Sequence, residues 1–252
     1  MQIDSEKNQK KKITKKDVIY LVIIALLVIA VVTVSVLWGV SAHKEKGADS
    51  SSYYDRKCAS FAVQNANLSK GQIVFIGDSI TDLFPLDAYF SDLPLATYNR
   101  GIGGDVTAGV LARMQLCLYD LAPTKIVLLI GINDINSGVP TERIVLNYRK
   151  ILQGIRTNLP TTAVYCLSIL PMNETVIAYG VNLDAALART KEINQSISSF
   201  TTEFGYTYVD LFSSVADENE RLIAGYSDDG LHLNANGFAV WANVIKPYLQ
   251  GN

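Results

Sequence analysis

Three residues in this 252-residue sequence have the types and spacing for acyl transfer: Ser79, Asp229 and His232. Ser79 follows a short apolar run, in Gly77-Asp78-Ser79-Ile80. A serine hydroxyl becomes a working nucleophile when a base lies within hydrogen-bond reach and a third group holds that base in the right tautomer. The chain has two histidines, and His43 stands in a small, polar N-terminal stretch, which leaves His232 as the base available to a folded region. Asp229, three residues before it, can accept a hydrogen bond from the imidazole Nδ1–H, with Asp228 a competitor one residue further away. Taken singly these strings are weak, because Gly, Asp and Ser after a strand are ordinary turn and capping residues and a lone histidine near a helix start is often a cap.

The elements that must position these residues follow from apolar periodicity. Short β-branched runs at 72–76, 96–99, 125–130, 163–169 and 206–210 predict strands. Amphipathic patterns at 106–121, 141–158, 184–204 and 235–248 predict helices between and after them. This alternation implies an α/β fold, a three-layer α/β/α sandwich on a five-stranded parallel sheet. Ligands of such sheets bind at the carboxyl ends of the strands. The residues just past those ends are Gly77-Asp78-Ser79, then Gly101-Ile102-Gly103-Gly104-Asp105, then Gly131-Ile132-Asn133-Asp134, with Asp229-Gly230-Leu231-His232 beyond the last strand.

Several chemistries are excluded. The α/β-hydrolase nucleophile elbow needs a second glycine two residues after the serine, where this chain has Thr81. Val106 occupies the third glycine of a dinucleotide fingerprint, and no P-loop lysine motif occurs, so no nucleotide cofactor is implied. One useful histidine without a ligand-spaced cluster argues against a catalytic metal. Cys58, Cys117 and Cys166 are too few and too odd in number for a disulfide framework, and Cys117 and Cys166 read as small buried hydrophobes.

Gly77-Asp78-Ser79-Ile80, Gly104 in its glycine-rich turn, Gly131-Ile132-Asn133-Asp134 and Asp229-Gly230-Leu231-His232 occur in an order that resembles the SGNH (GDSL-type) hydrolase family. The resemblance implies a serine esterase needing no cofactor, with Ser79 as nucleophile, Asp229 and His232 completing a triad, and Ser79, Gly104 and Asn133 as oxyanion donors. The chemistry agrees, since backbone N–H groups at 79 and 104 and the Asn133 amide could converge on a tetrahedral oxyanion. The stretch from Asn99 to Asp105 and Leu170-Pro171-Met172 look most like the catalytic subunits of intracellular platelet-activating-factor acetylhydrolase and their bacterial relatives. That likeness implies short acyl groups, acetyl above all, and the expected substrates are such esters on envelope glycans or lipids. A lysophospholipase-type esterase, or a catalytically silent carbohydrate-binding module on the same fold, is the alternative.

Composition adds an anchor. The chain is 49% hydrophobic and 18% charged, and the apolar excess is concentrated at 18–40, an uncharged run that at ~1.5 Å per residue is long enough to span a bilayer as a helix. Lysines at 7, 10, 11, 12, 15 and 16 precede it and only Lys44 and Lys46 follow closely, which predicts a cytoplasmic N-terminus. The expected organisation is a basic tail over 1–17, a transmembrane helix over 18–40, a stalk over 41–52 and an extracytoplasmic hydrolase domain over 53–252. Cleavage after the apolar run stays open as an alternative. Outside the first forty residues acidic side chains outnumber basic ones, which argues against nucleic acid as a partner.

Overall fold

A computed structural model describes residues 52–251; the predicted anchor over 18–40 lies outside the described residues. The described residues start with helix α1 (Tyr53–Asn65) and its cap. Ser52, placed in the stalk by composition, is its N-cap: the Ser52 hydroxyl accepts from Asp55 N–H and the Asp55 carboxylate accepts from Ser52 N–H, a reciprocal capping box. There follow β1 (Ile73–Gly77), α2 (Ser79–Asp82), α3 (Leu86–Phe90), β2 (Thr97–Gly101) and α4 (Thr107–Ala112). The second half is β3 (Lys125–Leu129), α5 (Ile132–Asn136), α6 (Thr141–Asn158), β4 (Ala163–Leu167), α7 (Leu183–Phe204), β5 (Thr207–Val209), α8 (Phe212–Val215) and α9 (Ala235–Gln250).

All five strands are parallel, in the order β2-β1-β3-β4-β5. Every residue of β1 and β3 is buried, as a sheet covered by helices on both faces requires. Helix α6 shows how the cover is made: Ile144, Asn147, Tyr148, Ile151, Leu152 and Ile155 are its buried residues, one stripe at three- and four-residue spacing. Helix α7 ends at Gly205, which takes the left-handed conformation that terminates helices. Among the described residues no helix is long and apolar enough to cross a membrane.

The helix predicted over 106–121 is not continuous. It is α-helical over Thr107–Ala112, breaks at Arg113, and continues as a π-helical turn over Gln115–Tyr119. Arg113 lies on the apolar face of that pattern and is itself buried, and the break coincides with the residue whose charge has to be satisfied inside the protein.

In this topology the chain leaves β1 toward one edge, makes β2, and returns to make β3 on the other side. Loops after β1 and β3 therefore diverge and open a crevice at the carboxyl ends. An aromatic cluster ties the remaining piece to that crevice. Phe84, two residues after α2, stacks on Phe238 of α9 with ring centroids 4.9 Å apart, and lies 4.4 Å from the Trp241 ring. Phe75 of β1 packs on the same group. Trp241 is fully buried. Because this cluster joins α2, which begins with Ser79, to α9, which follows His232, Trp241→Ala should cost about 3–5 kcal/mol of stability. A urea melt measures it, and a change below about 1 kcal/mol would show that the site side of the sheet does not depend on this packing.

Candidate active site

Ser79 is the first residue of α2, and Asp78 is its N-cap, accepting from Ile80 N–H at 3.0 Å through Oδ1. First-turn N–H groups have no partner inside a helix, so the N–H of Ser79 has no intrahelical acceptor. His232 Nε2 lies 2.8 Å from Ser79 Oγ, and its Nδ1 lies 2.6 Å from Asp229 Oδ2. The second Asp229 oxygen accepts from the N–H groups of Leu231 and His232 and from the Ser227 hydroxyl. Burial of Asp229 opposes its charge, but the bonds from the His232 ring and from the two N–H groups outweigh it and hold its pKa at about 2. Asp228 is turned away and accepts from the Asn234 amide, so of the two neighbouring carboxylates the structure joins Asp229 to the imidazole.

The glycine turn after β2 packs on α2. A Cβ on Gly101 would sit 2.2 Å from the backbone nitrogen of Asp82, so only glycine lets β2 end against α2. Gly104 has φ +77°, with open space where a side chain would project. Asn133 lies in the first turn of α5, and its Nδ2 donates to the Asp105 carbonyl at 2.9 Å. That bond runs to a residue 28 positions away rather than to a local turn, and an amide nitrogen carries a second N–H. The neighbouring Asp134 is buried and accepts from both the N–H and the hydroxyl of Thr107. The structure thus brings together all five sequence-derived residues, Ser79, Gly104, Asn133, Asp229 and His232, at one end of the sheet.

Sequence reasoning missed Arg113. Its Nε and Nη2 contact Asp105 Oδ2 at 2.8 Å. Its Nη1 donates to Arg100 O at 2.6 Å and its Nη2 to Gly77 O at 2.9 Å. One guanidinium therefore binds the ends of β1 and β2 and the residue after Gly104. The available signal was a charged residue on the apolar face of the helical pattern at 106–121.

Beside the imidazole is an open cavity of about 390 Å³ lined by Asn136, Val176, Val181, Asp229, Leu231 and His232, largely apolar apart from Asn136, Asp229 and His232. Among the described residues no cluster of His, Cys, Asp and Glu has the arrangement of a metal site.

Fold and site together define an α/β/α hydrolase with a serine, a histidine and a carboxylate at the strand ends. The chain belongs to the GDSL-like lipase/acylhydrolase family, a family of carboxylic ester hydrolases, whose model matches residues 75–240. It is 33% identical over 181 residues to the human platelet-activating factor acetylhydrolase IB subunit alpha2, covering 69% of this chain and 73% of that protein. The match to the bovine alpha1 subunit, also 33% identical, spans 41% of this chain and less than half, 45%, of that subunit. Among solved structures, one from Streptococcus pneumonia, provisionally described as a platelet activating factor, is similar at 30% identity and TM-score 0.72, covering 78% of this chain and 92% of that one. An acetylxylan esterase from Geobacillus stearothermophilus shares the fold at 17% identity and TM-score 0.59, covering 73% and 96%.

Asp78 carries a testable electrostatic consequence. Its carboxyl is buried, and burial pushes its pKa up to about 7, against the bond from Ile80 N–H. A carboxyl whose pKa is higher in the folded than in the unfolded chain contributes most stability at low pH, and that contribution is lost as pH rises from about 4 to about 7. Asp78→Asn keeps an oxygen for Ile80 and has no proton to lose, so its stability relative to the wild type should rise across that window. Urea melts at about pH 5 and about pH 8 read the difference. An equal offset at both would show that Asp78 ionises in the folded protein without cost.

Proposed function

We propose that this chain is a serine ester hydrolase that acts through an acyl-enzyme on Ser79 and removes short acyl groups, acetyl-like in size, from glycan or lipid esters. The single observation carrying this is the unbroken hydrogen-bonded chain from Ser79 Oγ through His232 to Asp229. In the first half-reaction His232 Nε2 takes the Ser79 proton as Oγ attacks the ester carbonyl, and returns it to the departing alkoxide. In the second, His232 takes a proton from water, hydroxide adds to the acyl carbon, and Ser79 leaves with that proton. Asp229 keeps the proton of the neutral ring on Nδ1 and stabilises the imidazolium formed in each step. Negative charge on the carbonyl oxygen is met by the N–H groups of Ser79 and Gly104 and the free N–H of the Asn133 amide.

The preference for short acyl groups rests on the relatives named acetylhydrolase and acetylxylan esterase, and an open cavity of about 390 Å³ beside the imidazole offers room for such a group. A chain-length series of p-nitrophenyl esters tests it, with kcat/KM falling beyond butyrate expected and a rise toward long chains supporting a lysophospholipase instead. Ser79→Ala should abolish both hydrolysis and fluorophosphonate labelling, and Asn133→Ala should lower kcat by about 10²–10³ with little change in KM, because an oxyanion donor acts in the transition state. Lowered stability with near-normal kcat would remove Asn133 from the site.

The same reading places the enzyme at a membrane surface, with residues 18–40 as a single span and the hydrolase domain outside. Its support is the lysine-rich flank before the uncharged run. Protease added to intact cells should release an active domain while the N-terminal tail stays protected. A domain cleaved only after lysis would reverse the orientation.

A further inference from the structure

Asp82, the last residue of α2, has its carboxylate in an unusual position. Its Oδ2 accepts from Gly103 N–H at 3.0 Å, one residue before Gly104. The same oxygen accepts from the Tyr53 hydroxyl at 2.6 Å, and Oδ1 accepts from Lys57 Nζ at 2.7 Å. Tyr53 and Lys57 belong to the first two turns of α1, which lies ahead of the stretch 75–240 that matches the family. The carboxylate thus joins the nucleophile helix, the glycine turn and a helix outside the family match.

The electrostatics of this arrangement matter for catalysis. Ester hydrolysis builds a negative charge where Gly104 donates, and a bare carboxylate bonded to the preceding residue would oppose it. Lys57 supplies the compensating charge. The pair is largely withdrawn from water, its side chains 25% and 12% exposed, so the lysine charge acts on the carboxylate with little screening. Its influence on the reaction falls on a charge that exists only in the transition state, because the ground-state ester is neutral.

We propose that Lys57, with Tyr53, is a positioning residue of the active site: it neutralises Asp82 and holds that carboxylate on Gly103, so that the adjoining Gly104 N–H meets the oxyanion without opposition. This rests on the proposed hydrolysis at Ser79, and it assigns to α1 a part in the rate of that reaction.

A double-mutant cycle on the full-length chain in detergent, with p-nitrophenyl acetate as substrate, tests it. Lys57→Met should lower kcat about tenfold with KM and melting temperature nearly unchanged, and Lys57→Arg should restore most of the rate. In an Asp82→Asn background, where no charge needs neutralising, Lys57→Met should have no further effect. The proposal is overturned if Lys57→Met leaves kcat within about twofold of the wild type, if the loss is the same in the Asp82→Asn background, or if it appears in KM or melting temperature instead. Failure of the hydrolase reading looks different: there the wild type itself would show no Ser79-dependent hydrolysis.

Discussion

The buried guanidinium of Arg113 is the constraint on which the site end of this protein depends. A charge withdrawn from water must be met by acceptors of fixed geometry, and breaking such a set by removing one partner typically costs about 3–5 kcal/mol. Here the acceptors are the Asp105 carboxylate and the carbonyls of Gly77 and Arg100. Gly77 immediately precedes the Asp78-Ser79 turn, Arg100 ends within β2, and Asp105 follows Gly104. Satisfying one cation therefore fixes the relative positions of the nucleophile turn and the glycine turn. Asp105 extends the effect, because its carbonyl takes the Asn133 amide. The three proposed oxyanion donors come from three different strand ends, and Arg113 with Asp105 bonds to all three ends.

A second constraint acts on the histidine, which the arginine network does not touch. His232 lies 153 residues beyond Ser79, on the far side of the fold in sequence terms. What brings it back is apolar packing. Phe84 behind α2 meets Phe238 and Trp241 of α9, so the loop before α9 can deliver His232 only to the end of β1. Asp229 then orients the ring using a short loop of its own, in which its second oxygen takes two backbone N–H groups. Polar contacts set the angles of this site; aromatic packing sets which segments face one another.

Acidic side chains at the strand ends are divided by environment. Asp229 is held ionised by the donors around it, whereas Asp78, buried with one oxygen lacking a protein partner, is pushed toward the neutral form. Asp105 and Asp82 each face a cation. These four carboxyl groups are in this way paired, suppressed or bonded to the imidazole, an arrangement that suits the oxyanion of the proposed reaction.

Much of this was legible in the sequence. The runs at 72–76 and 125–130 are apolar throughout because both faces of those strands are covered, and the three- and four-residue spacing at 141–158 is the spacing of one helix face, so local periodicity suffices to place the strands and long helices. Glycine at 101 and 104, a capping aspartate at 78 and the Asp229–His232 spacing are local requirements of turns and of one hydrogen bond, and they too are written in the residues. The break at Arg113 is not, since a helical pattern does not reveal that one of its inward side chains will be a cation seeking carbonyls on two separate strands. Nor are the further bonds that hold Asp229 itself, which depend on the way the loop folds back on the N–H groups of residues 231 and 232. The role of α1 is equally invisible, because Tyr53 and Lys57 meet Asp82 only once the helix has packed across the sheet. Types and short spacings are properties of the chain; which polar groups face each other across 25 or 153 residues is decided by packing alone.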